Sequence, residues 1–142
     1  MAYQKYRFYL KFILWIFVLH TIGVSLGLCL LPTRYLTYFG FEGYQGHFFQ
    51  TQAGIFHLIM AVAYLLALFY GENSPALIFF AVITKSIALV FLMIYYLFFE
   101  QNWIIFFSAF GDGIMGILLI IVYTRLIGYK NGRLNLSKSN SS

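Results

Sequence analysis

The sequence predicts an all-α membrane protein, an antiparallel bundle of four transmembrane helices. Of the 142 residues, 62% are hydrophobic and only 9% are charged, whereas a soluble domain carries roughly 25% charged residues. Four apolar runs occupy residues 12–31, 47–70, 75–99 and 103–123, and each is near the ~20 residues that cross a bilayer. Because backbone groups in lipid must hydrogen-bond within their own segment, these runs are expected to be helices.

The boundaries of the runs coincide with residues that end or begin helices. Pro32 follows the first run and Gly71 follows the second, while Pro75 stands at the start of the third, where proline is favoured. The connections between the second, third and fourth runs are very short, which predicts antiparallel neighbours. We therefore expect one transmembrane domain over 1–128 and a polar, disordered tail over 129–142.

The basic residues predict the orientation in the membrane. They cluster at the two ends of the chain: Lys5, Arg7, Lys11, Arg125, Lys130, Arg133 and Lys138. The first connection carries only Arg34, so the positive-inside rule places both termini in the cytoplasm, with the cell membrane as the expected location. The net charge of +5 is then a topology signal and an attraction to anionic lipid. The expected partners are membrane lipids and another membrane protein or a second copy, not nucleic acid.

Each span carries one ionisable residue near its centre: His20, His57, Lys85 and Asp112. His20 lies nine residues after Lys11, which precedes the first span, and the other three lie nine or ten residues after the first residue of their spans. This distance is roughly 14–15 Å at the helical rise and so close to the bilayer midplane. A charge at a helix centre costs ~2.5–3.5 kcal/mol on the insertion scale. Lys85 cannot reach either interface from this depth, so it needs a partner, and the sequence predicts Asp112.

Small residues accompany the ionisable ones at helical spacing. Five glycines are expected at helix-packing contacts: Gly23, Gly27, Gly54, Gly113 and Gly116. Small residues face other helices in membrane bundles, so the ionisable side chains should point inward. Gln50 shares the stripe of His57 and joins the candidates. The segment "GDGIMG" matches a dinucleotide-binding pattern, but no strand precedes it, which argues against a nucleotide loop.

These observations favour a polar site at the midplane of the membrane. His20, His57, Lys85, Asp112 and Gln50 are candidates for binding a lipid-like or quinone-like ligand, for relaying protons or for assisting membrane redox chemistry. A lipid-modifying, isomerase-like enzyme is an alternative, since it needs an acid and a base across an apolar slot. A structural or assembly subunit, whose polar layer binds another membrane protein, is another. A Lys85–Asp112 pair that only fixes helix pairing is the purely structural interpretation of the two charges.

The cofactor and the enzymatic status stay open at this stage. A quinone is one candidate cofactor, whereas a b-type haem on His20 and His57 is disfavoured because it gives Lys85 and Asp112 no part. Nothing in the spacing of the ionisable residues assigns a metal site.

The layout of the chain resembles the DoxX-like group of small membrane proteins. The shared features are four spans in 142 residues, "LLP" at the end of the first span, a long aromatic first connection, a glycine in the second span and Asp112 in the fourth. The resemblance implies a four-helix bundle and, for some members, a link to quinone redox chemistry. The second span begins "FFQTQAGIF" where the group often has an arginine, so the resemblance carries over no catalytic residue.

Overall fold

The part of the chain that the structure describes folds into four long helices and one short 3₁₀ helix. The computed structural model describes residues 2–41 and 47–139, with side chains described as far as residue 132. The helices are α1 (Ala2–Leu30), a 3₁₀ helix here called the loop helix (Thr33–Phe39), α2 (His47–Tyr70), α3 (Pro75–Phe98) and α4 (Trp103–Ser139). All four long helices contain a stretch long and apolar enough to cross a membrane, and the predicted all-α four-helix bundle is confirmed.

Two helices extend beyond the predicted spans. Helix α1 begins at Ala2 rather than near residue 12, and α4 continues to Ser139, through most of the segment for which the sequence predicts a disordered tail. Neither extension contains a proline. Once a helix is nucleated each further residue adds a hydrogen bond, so a helix anchored in the bundle continues into polar flanking sequence.

The hydrophobic core cluster lies in the half of the bundle that contains the start of α1. Helix α1 packs mainly on α2 and α3 mainly on α4, and of the four pairs of adjacent long helices α2 and α3 contact each other least. The buried core comes from the first half of α1 and α3 and the second half of α2 and α4: Leu10, Leu14, Phe17, Tyr64, Leu68, Ile78, Ala81, Leu119 and Leu126. The other half of the bundle contains cavities, which are described below.

Helices α1 and α2 approach most closely at Gly54. A Cβ atom at this position would lie 2.5 Å from Cys29 Sγ and 3.1 Å from the backbone oxygen of Ser25. One turn earlier, Gln50 Nε2 donates a 2.8 Å hydrogen bond to the carbonyl of Leu31, which satisfies a backbone acceptor at the end of α1. The two contacts fix the second half of α1 against the first half of α2.

The loop helix is held across the end of the bundle by Asn102. The buried Asn102 side chain donates from Nδ2 to the carbonyl of Phe39 at 2.7 Å and accepts at Oδ1 from the N–H of Ile104 at 3.0 Å, which caps α4. Gly40 ends the loop helix with φ of 85°, and a Cβ there would lie 2.6 Å from Asn102 Nδ2. Only glycine fits both the backbone angle and the close contact.

At the opposite end, Glu72 joins the α2–α3 connection to α1. The Arg7 Nε and Glu72 Oε2 atoms are 2.7 Å apart, and the Tyr3 hydroxyl donates to the same carboxylate. Burial alone would raise the pKa of Glu72, but the Tyr3 hydrogen bond and the Arg7 guanidinium outweigh it and hold the pKa below its usual value. The ionised carboxylate is therefore the form that the folded protein stabilises.

We expect Gly54→Ala to destabilise the protein by about 1–3 kcal/mol, because the new methyl group meets the backbone of α1 and overpacks the contact. Gly111→Ala is the matched control, since a Cβ there meets no atom within 4 Å and alanine is the better helix former. Unfolding in mixed micelles measures both variants. Equal or higher stability of Gly54→Ala would contradict the packing described here.

The Glu72 contact also predicts a pH dependence. A carboxyl whose folded pKa is depressed stabilises the protein above its unfolded pKa, near ~4.3, and this contribution is lost as the pH falls toward the folded value. Glu72→Gln should remove this part of the acid dependence of thermal unfolding, whereas Glu100→Gln, in the α3–α4 connection, should retain it. An unchanged acid profile in Glu72→Gln would show that the Glu72 contact does not contribute.

Candidate functional site

The candidate site forms around a buried ion pair between α3 and α4. Lys85 is only 5% exposed, and its ammonium contacts the Asp112 carboxylate, whose side chain is 13% exposed. Gly116 makes room for the lysine stem, because a Cβ there would lie 3.5 Å from the Cβ of Lys85. The structure therefore pairs Lys85 with Asp112, as their similar depth in the membrane predicts.

Two aromatic rings complete the surroundings of the lysine. The Lys85 ammonium lies 5.3 Å from the ring centroid of Phe17 in α1 and 5.6 Å from that of Tyr64 in α2. The two rings meet edge to face, with centroids 5.2 Å apart. We call Phe17, Tyr64, Lys85 and Asp112 the lysine centre, to which each long helix contributes one side chain. The ring faces stabilise the cation where water cannot.

A cavity, here called the polar chamber, lies beside the lysine centre. It has a volume of about 320 Å³ and is lined by His20, His57, Thr84, Lys85 and Asp112, with Met60 and Phe91 among its apolar walls. The chamber lies against α2 and α3, which of the adjacent helix pairs contact each other least. His20 and His57 are both exposed, so they stand where the chamber opens toward the membrane rather than deep in the bundle.

A second cavity, here called the apolar chamber, lies between the midplane and the loop helix. Its volume is about 410 Å³, and its lining is apolar except for His57 and Ser108. The walls come from the second half of α1, from α3, from the loop helix and from the start of α4; Gly27, Leu36, Phe39 and Ile105 are examples. His57 lines both chambers and therefore marks the boundary between them.

The remaining candidate, Gln50, does not line the polar chamber. Its Nε2 donates to the carbonyl of Leu31 at the end of α1, whereas its Oε1 is buried without a hydrogen-bond partner among the described residues. A ligand-binding role for Gln50 stays a prediction. Among residues 2–41 and 47–132, no group of three His, Cys, Asp or Glu side chains is arranged to hold a metal ion.

The five glycines predicted at helix-packing contacts fall into two groups, those that contact another helix and those that do not. Gly54 contacts α1, Gly116 contacts Lys85, and a Cβ on Gly113 would lie 3.3 Å from the Leu89 side chain of α3. At Gly23 an added Cβ meets no atom within 4 Å, and at Gly27 it meets only Leu31 of the same helix at 3.9 Å. The expected close packing at Gly23 and Gly27 is therefore wrong.

The correction has a physical reason. Helix α1 buries a different face, which carries Leu14, Phe17, Thr21 and Ser25. In lipid, helix association depends on van der Waals packing rather than on the removal of apolar surface from water. The face with Leu14 and Phe17 supplies these contacts, whereas Gly23 lies at the surface and Gly27 lines the apolar chamber.

Phe17 and Tyr64 are the site residues that the sequence analysis missed. The chain contains 17 phenylalanines and 12 tyrosines, so abundance hides the two that contact the lysine. The sequence did contain a usable signal. Tyr64 stands two helical turns after His57, on the same helix face as Ala61, and Phe17 stands one turn before His20. Both are therefore within reach of the midplane layer.

The fold and the apolar helices define the class of the molecule as a small membrane-integral four-helix protein. An ion pair inside the bundle and two cavities beside it characterise its site. The sequence matches no protein-family model, no curated protein and no solved structure. The functional conclusion therefore depends on the geometry of the site.

Removing one partner of the ion pair should destabilise the protein by about 3–5 kcal/mol, because an unpaired charge stays buried. Lys85→Met and Asp112→Leu are the single variants, and the double variant should recover most of the loss since no charge remains. Denaturation in micelles measures the cycle, with the exposed Lys130→Met as the control. Additive losses in the double variant would rule out the coupling.

Proposed function

We propose that this protein binds a lipid-like ligand whose polar head occupies the polar chamber. The observation that carries the proposal is the position of the ion pair: Lys85 and Asp112 line a chamber of about 320 Å³ that two histidines share. Ligand pockets are typically ~300–1,000 Å³, largely apolar, with a few convergent polar groups. The polar chamber has this composition.

A purely structural ion pair explains the site less well. A buried pair contributes little net stability compared with apolar residues of similar volume, and helix pairing alone requires no cavity beside the charges. Here the pair is enclosed on one side by Phe17 and Tyr64 and lies on the wall of the polar chamber on the other. Such an arrangement leaves charged hydrogen-bonding groups available to a molecule in the chamber.

The chemistry of the chamber suits a quinone-like head group. A carbonyl oxygen can accept a hydrogen bond from the Lys85 ammonium or from an imidazole N–H, and a hydroxyl can donate to Asp112. His20 and His57 each carry an imidazole that can donate or accept a hydrogen bond at such a head group, and a quinone held there would suit an accessory to membrane redox chemistry. Membership of the DoxX-like group, a location in the cell membrane and cytoplasmic termini belong to this same proposal.

A lipid isomerase is the second candidate, and one observation favours it. Asp112 of α4 and His57 of α2 line the same chamber from different helices, so an acid and a base could act on one substrate between them. The two candidates differ in their products, because a binding protein returns its lipid unchanged and an isomerase does not.

The test compares wild-type protein with Asp112→Asn, and Glu100→Gln serves as the control. After purification in a mild detergent, mass spectrometry identifies the retained lipids and a visible spectrum reports any haem. A charged hydrogen bond is worth about 1.5–3 kcal/mol, so Asp112→Asn should reduce the enriched lipid about ten- to hundredfold. Equal lipid retention in folded wild type and Asp112→Asn would overturn the proposal, and a Soret band would replace it with a haem protein.

A further inference from the structure

The apolar chamber has no part in the function proposed so far. It lies beyond His57 on the side away from the chain ends, and all its lining residues are apolar except His57 and Ser108. We propose that it holds a hydrocarbon chain of the ligand, that the ligand is an amphiphile with a neutral head group, and that Gly27 determines how much of this hydrocarbon chain fits. This inference rests on the proposed function, since it assumes a polar head in the polar chamber.

Packing of the bundle determines the direction in which the hydrocarbon chain of the ligand can extend. Toward the ends of the polypeptide, the interior is filled by side chains with no exposed surface, among them Leu14, Phe17 and Leu119. On the other side the apolar chamber offers about 410 Å³. A head at Lys85 and Asp112 can therefore extend its chain inside the bundle only past His57, toward the loop helix.

Charge balance determines the class of head group. Lys85 and Asp112 neutralise each other, and among the described residues that line the polar chamber no other is an acid, a lysine or an arginine. A phosphate or a quaternary ammonium would add an unbalanced charge at the depth of the hydrocarbon core, which is costly. A hydroxyl or carbonyl head adds none, and it can accept from the ammonium and, as a hydroxyl, donate to the carboxylate.

Gly27 is the position where the size of the chain can be tested. A side chain there is sterically tolerated by the fold, because a Cβ meets only Leu31 at 3.9 Å, but it would project at the lining of the apolar chamber. Gly23 is the matched control: it lies one turn earlier on α1, a Cβ there meets no atom within 4 Å, and it does not line the chamber. Gly27→Leu should therefore fill space that Gly23→Leu leaves open.

The experiment uses photoaffinity labelling of the full chain in phosphatidylcholine nanodiscs. The probe is hexadecanol with a diazirine near the end of its chain, and mass spectrometry locates the labelled residues. In wild type the label should fall on the loop helix, at Leu36 or Phe39, and unlabelled hexadecanol should compete it away. Gly27→Leu should lower this labelling about tenfold, since several methylene groups lose their place, while Gly23→Leu should not.

Two charged probes test the head group, and a third probe separates this inference from the proposed function on which it rests. Hexadecyl phosphate and hexadecyltrimethylammonium with the same diazirine should label the loop helix at least several-fold less; equal labelling by the charged probes would overturn the neutral head. Hexadecanol with its diazirine beside the hydroxyl should label Met60 or Phe91 in a manner that depends on Asp112.

The outcomes are distinct. If the head probe labels these positions, Asp112→Asn abolishes that labelling and the chain probe does not reach the loop helix, the proposed function stands and the apolar chamber is not the chain site. The same conclusion follows if Gly27→Leu leaves loop-helix labelling unchanged. If neither probe gives labelling that hexadecanol competes, both proposals fail.

Discussion

The Lys85 ammonium is the group around which the centre of this bundle is organised. A lysine at the membrane midplane is tolerated only when the protein replaces the solvation that water would supply. Here the replacement comes from three other helices at once, through the Asp112 carboxylate and the faces of Phe17 and Tyr64. Displacing any one helix would remove one of these contacts, so the charge ties the relative positions of all four.

The same centre marks the change from a packed bundle to an open one. Toward the chain ends, a cluster of aliphatic and aromatic side chains forms the buried core. Away from them, Gly54 keeps α1 and α2 in close contact and Asn102 holds the loop helix across the end, but the space between is left as two chambers. A close helix contact and a fixed loop allow these chambers to persist without a core to fill them.

The positions of residues along the sequence predicted the depth of the site well, but they predicted less well which face of each helix is buried. The midplane layer and the Lys85–Asp112 pair follow from helical rise and the cost of a lone charge, quantities that depend on each helix alone. The face that α1 buries depends on its neighbours, and small-residue spacing at Gly23 and Gly27 pointed to the wrong one. The cavities could not be predicted, because the sequence does not distinguish a glycine that packs against a neighbouring helix from a glycine that lines a cavity.

The most direct test of the lysine centre is a solid-state NMR measurement in lipid bilayers. Asp112 is the only aspartate in the chain, so labelled aspartate reports a single carboxylate. Dipolar coupling between its carboxyl carbon and a labelled lysine ζ-nitrogen should show an ion-pair contact, within ~4 Å, with the carboxyl shift of an ionised group, and Lys85→Met should abolish the coupling. A neutral carboxyl, or no coupling to any lysine, would contradict the central role of the pair.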